Sequence, residues 1–267
     1  MRADQLLVNR QLAATRSQAQ RLIASGVHWR VGDGAWQPVR KNGDELPATA
    51  ELQLHDAGEA RYVSRGGLKL EGALRATGLD VTGWHCLDVG QSTGGFTDCL
   101  LRHGAACVVG VDVGRGQLHP RLRADARVLA IEGVNARSMS AVQLMRALVD
   151  SAPDLQRFDF PFDLLVADLS FISLTLVLPA LAPLLKPSGR LLLLVKPQFE
   201  LQPADIGKGG IVRDAALYAE VERRLRAACA DAGLAVLHWL PSPIAGGDGN
   251  REFFIHAAQA AFSQRVS

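Results

Sequence analysis

The chain has 267 residues, 48% of them hydrophobic and 21% charged, with 29 Lys and Arg against 27 Asp and Glu for a formal net charge of +2. That length and apolar fraction allow a full buried core in one large domain or two unequal ones, and the near balance of charge excludes a bulk polycation, so any nucleic-acid surface is local. Four scattered cysteines, Cys86, Cys99, Cys107 and Cys229, lack Cys-x-x-Cys spacing, which argues against a zinc site or a disulfide framework and fits a reducing cytoplasm.

The start, Met1-Arg2-Ala3-Asp4-Gln5-Leu6, carries an acid and has no apolar signal core. Two composition regimes meet near residues 59–67: short basic segments before, aliphatic strands alternating with helical patterns after. We read 1–58 as a small domain, 59–66 as a linker and 67–262 as the larger domain. The small domain opens with helical patterns at 4–10 and 15–25, the second stopped by Gly26. A hairpin follows from Val27-His28-Trp29-Arg30-Val31 and the turn Gly32-Asp33-Gly34, continued by Gly43-Asp44-Glu45-Leu46 and a last strand near Leu52 and Leu54. Up to Arg30 the cations are Arg2, Arg10, Arg16, Arg21 and Arg30, opposed only by Asp4.

This order resembles the S4-type RNA-binding module, through Arg2-Ala3-Asp4-Gln5-Leu6-Leu7, Thr15-Arg16-Ser17-Gln18-Ala19-Gln20-Arg21-Leu22-Ile23 and Gly26-Val27. Arginine suits planar, bidentate contact with phosphate, so Arg2, Arg16, Arg21 and, beyond the boundary, Arg65 are candidate RNA-binding residues. The alternative is a solvated helix face with arginines for solubility.

The larger domain presents candidate strands at 86–89, 106–111, 128–130, 164–167, 191–195, 234–240 and 252–256, with helical patterns between them at 140–149 and 215–233. Such alternation implies a mostly parallel sheet. The Pro/Gly-rich connection 241–250 is too short for a helical crossover, so an antiparallel pair closes the sheet. The stretch 174–195, the most hydrophobic of all, is broken by Pro179, Pro183, Lys186, Pro187 and Arg190, which excludes an ordinary membrane span.

Leu87-Asp88-Val89-Gly90-Gln91-Ser92-Thr93-Gly94-Gly95-Phe96-Thr97 runs from a strand through a glycine-rich turn into a helix, where the backbone can approach a ligand closely. Its Gly-x-x-x-Gly-Gly spacing departs from the Gly-x-Gly-x-x-Gly of dinucleotide binders. Asp112 ends the next strand, where an acid takes a ribose diol or simply caps the following helix. With the antiparallel closing pair, the spacing favours a Rossmann-like class I S-adenosylmethionine (SAM) methyltransferase over a dehydrogenase. The candidate cofactor residues are Asp88, Gly90, Ser92, Thr93, Gly94, Gly95, Phe96, Asp112 and Asp168. Glu132-Gly133-Val134-Asn135-Ala136-Arg137 follows the third strand, the usual place for adenine contacts, though a plain loop fits as well.

Lys196 closes the run Leu191-Leu192-Leu193-Leu194-Val195 and precedes Pro197, which puts an ammonium where a buried strand stops. Asp168 ends the preceding strand in the same way. Lys69 lies on a helix begun by Ser64, and Glu252 enters the terminal strand. The set Lys69, Asp168, Lys196 and Glu252 resembles the Lys-Asp-Lys-Glu tetrad of the FtsJ-type ribose 2′-O-methyltransferases. With Ser64-Arg65-Gly66-Gly67, the glycine turn, Ala167-Asp168-Leu169-Ser170-Phe171-Ile172-Ser173 and Val195-Lys196-Pro197-Gln198-Phe199-Glu200, nearly the whole chain resembles the TlyA family. That resemblance implies SAM-dependent 2′-O-methylation of cytidine in ribosomal RNA, by an α/β methyltransferase domain preceded by a small α+β S4-like domain. It implies a cytoplasmic protein whose partner is ribosomal RNA or a ribosomal subunit, with no metal and no membrane; a historical hemolysin label also attaches to the family.

A ribose hydroxyl is a poor nucleophile and a methyl sulfonium an excellent electrophile, so the enzyme must supply deprotonation and in-line placement. We assign Lys196 as general base: Lys69 disfavours its protonated form, while Asp168 and Glu252 orient it and oppose that effect. Two alternatives stay open on sequence: Lys69 positions the oxygen and the proton passes through water, or the four residues are ordinary ion pairs. A non-catalytic ribosome assembly factor and a membrane-active hemolysin are the rival functions.

Overall fold

The computed structural model describes residues 1–13, 15–54, 61–151, 160–207, 209–246 and 249–260, and the chain divides into two compact units, Met1–Leu68 and Lys69–Ser267. Of the expected linker, residues 59 and 60 lie outside the described residues, as does the bound at 262.

In the first unit, α1 (Ala3–Asn9) and α2 (Arg16–Gly26) precede β1 (Val27–Arg30), β2 (Gln37–Pro38) and β3 (Glu51–Leu54). Thr15 starts α2 by accepting a hydrogen bond from the Gln18 amide at 3.2 Å, which satisfies a helix-terminal donor. Leu6, Leu7, Leu22, Ile23 and Val27 are buried together. The sheet order is β2-β1-β3, all antiparallel. The segment 43–46, expected to extend the hairpin, instead forms a turn held by an isolated bridge between Glu45 and Arg2. Pro38 and Pro47 flank that segment and cannot donate to a continuing ladder.

The helix α3 (Gly66–Thr77), begun two residues later than Ser64, starts in the last residues of the first unit and continues into the second, which carries β4 (His85–Val89), α4 (Gly95–Arg102), β5 (Cys107–Asp112), α5 (Pro120–Arg123), β6 (Val128–Glu132) and α6 (Ala141–Ser151). It continues with β7 (Phe162–Ala167), α7 (Leu178–Leu181), β8 (Leu185–Val195), α8 (Pro197–Glu200), α9 (Ala216–Asp231), β9 (Leu234–Pro241) and β10 (Phe253–Gln259). One sheet results, in the order β6-β5-β4-β7-β8-β10-β9. Its first five strands are parallel, and β10 runs antiparallel to both neighbours. The expected antiparallel closure is present, with the last strand slotted inside β9 rather than at the edge.

Side chains from Leu191 to Val195 are at most 1% exposed, as a strand covered on both faces requires. The strand β8 nevertheless starts six residues earlier, carrying Pro187 and Gly189 through a register shift against β7. Proline is tolerated in a sheet where the ladder is interrupted in this way. Because β4, β5, β7 and β8 are parallel, their carboxyl ends share one rim, where open α/β sheets bind ligands.

Candidate active site

Three neighbouring strands deliver three of the four tetrad residues to that rim. Asp168 follows β7 directly, Lys196 follows β8, and the antiparallel register Phe253 to Val195 sets Glu252 beside Lys196. The fourth, Lys69, comes from α3. The residues form two ion pairs: Lys69 Nζ lies 2.5 Å from Glu252 Oε2, and Lys196 Nζ lies 2.7 Å from Asp168 Oδ1. Lys196 also donates a hydrogen bond to Ser170 Oγ at 2.8 Å. The two pairs differ in exposure: Lys69 and Glu252 are 8% and 4% exposed, while Lys196 and Asp168 are half-buried. Burial raises the Glu252 carboxyl above its ordinary range, Lys69 acts against this, and Asp168 adds to it while Lys196 opposes it, so the two pairs are electrostatically coupled.

A cavity of about 430 Å³ opens beside the outer pair, within the usual size range for a small-molecule site. Four of the anticipated cofactor residues line it: Gly90, Ser92, Asp112 and Asp168. Gly90 has φ +81°, and a Cβ there would come within 2.9 Å of the Asp168 carbonyl oxygen, so the turn needs glycine for both conformation and space. Asp112 is fixed by two amides, accepting from Ser92 N at 2.7 Å and Gly114 N at 2.6 Å. Each carboxylate oxygen keeps a second lone pair for a diol. The remaining candidates point elsewhere: Thr93 is half-buried outside the cavity, Gly94 and Gly95 are covered, and Gly94 packs under Leu118 and Leu122. Phe96 turns into the core, stacked on Phe254 at 6.2 Å. Asp88 is buried beneath the turn.

Residues 62–259 match the model of the FtsJ-like methyltransferase family. The chain belongs to the FtsJ-like methyltransferase family. It is 41% identical, over 95% of its length and 88% of the relative, to a 16S/23S rRNA (cytidine-2′-O)-methyltransferase TlyA of Mycobacterium tuberculosis. It is 35% identical, over 96% of its length and 99% of the relative, to Hemolysin A of Brachyspira hyodysenteriae. A solved structure from Streptococcus thermophilus that carries a hemolysin label is 39% identical, with TM-score 0.72, covering 97% of this chain and 88% of that one.

In this FtsJ-like methyltransferase the donor set fits a nucleoside-bearing cofactor: a glycine turn open to backbone approach, an acid at the end of β5 and a cavity of matching size. Several lining residues escaped the sequence reading. Val113 and Gln117 follow the strand-end acid, and Phe171 is 90% exposed with φ +64°, leaning on Phe199 at 5.1 Å. No periodicity signals them, because they sit on loops. Val134, Asn135 and Ala136 do line the cavity, in the segment after β6 where adenine contacts were anticipated.

Two buried polar side chains hold the loops around the methyltransferase site. Glu200 accepts from Ser173 Oγ at 2.5 Å and Leu174 N at 2.7 Å, which ties α8 to the loop carrying Asp168 and Ser170. Asn250 accepts from Val212 N at 2.9 Å and donates to Gly210 O at 2.8 Å. The loop 202–213 is thereby tied down near Glu252; its Lys208 lies outside the described residues.

The glycine turn rests on a second close fit. Gln91 occupies the hollow over Gly110, where an added Cβ would fall 2.0 Å from the Gln91 side chain. Gly110→Ala therefore lowers the melting temperature, by the equivalent of about 1–3 kcal/mol of overpacking, and Gln91→Ala in the same chain restores much of it. Thermal unfolding of the two single variants and the double variant measures this coupling.

Among the arginines of the first unit, Arg2 and Arg16 converge on one enclosed carboxylate. Asp4 accepts from Arg2 Nε and Nη2, each at 3.1 Å, and from Arg16 Nη2 at 3.0 Å. Both guanidinium groups keep exposed faces, with side chains 45% and 61% accessible. Arg21 and Arg65 are half-buried. Arg2 above all, then Arg16 and Gln20, hold the Asp4 carboxyl well below its ordinary value of 3.8, against the effect of burial. A depressed carboxyl contributes stability that is present above 3.8 and lost as pH falls through the lower folded value. Asp4→Asn is therefore expected to flatten the acid side of the melting-temperature profile, measured from pH 2 to 6.

Proposed function

We propose that this methyltransferase moves the methyl group of SAM to a ribose 2′-hydroxyl of cytidine in ribosomal RNA, with Lys196 as general base. The observation that carries this reading is the pairing of Lys196 with Asp168 on the wall of a nucleoside-sized cavity, backed by the buried Lys69–Glu252 pair. The names of the TlyA relatives supply the RNA and the cytidine. SAM, when bound, supplies an electrophilic methyl group. Ser92, Asp112 and the loop after β6 would hold its adenosine, and Gly90 would admit it to the backbone. Lys196 Nζ takes the hydroxyl proton while Asp168 and Ser170 fix its direction. Lys69 and Glu252 keep the adjacent wall rigid and balanced in charge.

The first unit is proposed as an S4-like RNA clamp, with Arg2 and Arg16 held by Asp4 to grip the phosphate backbone and Arg21 and Arg65 adding positive charge. Arg16→Gln is expected to weaken binding to ribosomal RNA and to reduce the slope of log affinity against log salt by about one. Filter binding over a salt series reads both. The hemolysin label belongs to the relatives that bear it; no helix among the described residues is long and apolar enough to cross a membrane. The deciding experiment is transfer of labelled methyl from SAM to hypomethylated ribosomal subunits and to naked ribosomal RNA. Methyl on cytidine 2′-oxygen supports the reading, and an inert wild-type protein on both substrates ends it.

A further inference from the structure

One buried acid beside the cofactor turn takes no part in the steps above. Asp88 is 1% exposed; its Oδ2 accepts from Thr97 Oγ1 at 2.7 Å, and Thr97 Oγ1 in turn accepts from Gln91 Nε2 at 2.9 Å. Its Oδ1 has no hydrogen-bond partner among the described residues. Asp88 does not line the cavity, yet Asp112 and Asp168 do, and both act on it electrostatically. Asp88 lies two residues before Gly90 on β4, and its register partners Gly110 and Val166 lie two residues before Asp112 and Asp168, so the carboxyl sits just beneath the rim that borders the cavity, where charge is poorly screened.

The surroundings of Asp88 are few and definite. Its register partners on β5 and β7, Gly110 and Val166, carry no charge. From α4 the facing group is Thr97, while Asp98 is engaged by Arg102 and Arg121. On β4 itself Cys86 shares the face, its thiol pushed up by burial. Burial first, with Asp168 and Asp112 adding to it, raises the Asp88 carboxyl to about 7 against the hydrogen bond from Thr97.

We propose that Asp88 is a positioning residue that senses charge in the cofactor cavity, so that the protein holds the sulfonium form of the cofactor more tightly than the thioether left after transfer. This rests on the reading of the cavity as a SAM site. During transfer the S–CH₃ bond breaks, sulfur keeps the electron pair and becomes a neutral thioether, the ribose oxygen gains the methyl, and Lys196 gains the proton. The cofactor thus loses one positive charge, and Lys196, which is not among the residues lining the cavity, gains one. By linkage, a cationic ligand that favours ionised Asp88 binds better where Asp88 is ionised, so SAM affinity rises with pH through neutrality and levels off above it. S-adenosylhomocysteine lacks the sulfonium charge and does not follow that rise.

The test is calorimetric titration of the full-length protein with SAM and with S-adenosylhomocysteine from pH 6 to 8.5. The expected result is a tightening of SAM by about five-fold or more, and of the thioether by less than about two-fold. Asp88→Asn removes the difference, Thr97→Val moves the SAM midpoint to higher pH, and Thr97→Ser returns it. Carboxyl ¹³C NMR of the wild-type protein without ligand reads the same group should a variant fail to fold: Asp88 titrates near neutrality, and SAM moves it down more than the thioether does. Parallel pH profiles for the two ligands, or an unchanged SAM profile in Asp88→Asn, overturn the inference and leave the proposed function standing. Failure to bind either ligand overturns both.

Discussion

Lys196→Ala is expected to slow methyl transfer to hypomethylated ribosomal subunits by about 10²- to 10⁴-fold, with SAM affinity changed by less than about two-fold. The reason is positional. Lys196 sits at the end of β8, where the chain leaves the sheet and Pro197 starts α8, so its side chain meets groups at the rim. Nζ touches Asp168 and Ser170 and holds no part of the sheet together. Truncation removes the proton acceptor and leaves the cofactor turn, Asp112 and the loop after β6 as they were. A single-turnover rate together with a cofactor binding isotherm separates the two quantities. A drop in SAM affinity parallel to the drop in rate, or a rate unchanged by the substitution, rejects Lys196 as the base.

Glu252→Ala should behave differently, because its partner is buried. With Lys69 at 8% exposure and Glu252 at 4%, removal of the carboxylate strands an ammonium in the interior, which costs about 3–5 kcal/mol of folding stability. Desolvation of both charges offsets most of their attraction, so replacing both at once with apolar residues of similar length is far milder. Lys69→Met with Glu252→Met is therefore expected to recover most of the lost stability while methyl transfer stays low. Urea unfolding and methyl transfer on the single and double variants distinguish a pair that serves only the fold from one that also shapes the reacting wall. Recovery of full activity in the double variant would assign the pair to the fold alone.

Much of this site was legible along the chain. The aliphatic runs before Asp168 and Lys196 mark buried strands, and a charge that ends such a run in a parallel sheet falls on the ligand-binding rim. The glycine spacing after β4 and the acid after β5 marked the turn and the strand end that border the cavity. Phe96 faces the core, an orientation not legible along the chain, because a glycine-rich turn says where a backbone can approach a ligand but not which way the next helix faces. Here α4 presents Phe96 to Phe254 and Thr97 to Asp88. Val113, Gln117 and Phe171 carried no signal, since loop side chains have no period to read.

The sequence alone determined the local chemistry: which strands are covered on both faces, where charge sits at their ends, and where the backbone can turn tightly. Those are properties of a residue and its near neighbours. Tertiary structure decided the partners. Lys196 meets Asp168 because β7 and β8 pair in parallel, and Glu252, the partner of Lys69, reaches the same rim because β10 is slotted between β8 and β9, antiparallel to both, which brings residue 252 beside residue 196. The match of Gln91 to the hollow over Gly110 likewise depends on the parallel register of β4 and β5. Contacts across such separations are set by strand order and register, which follow from the packing of the whole sheet rather than from any one segment.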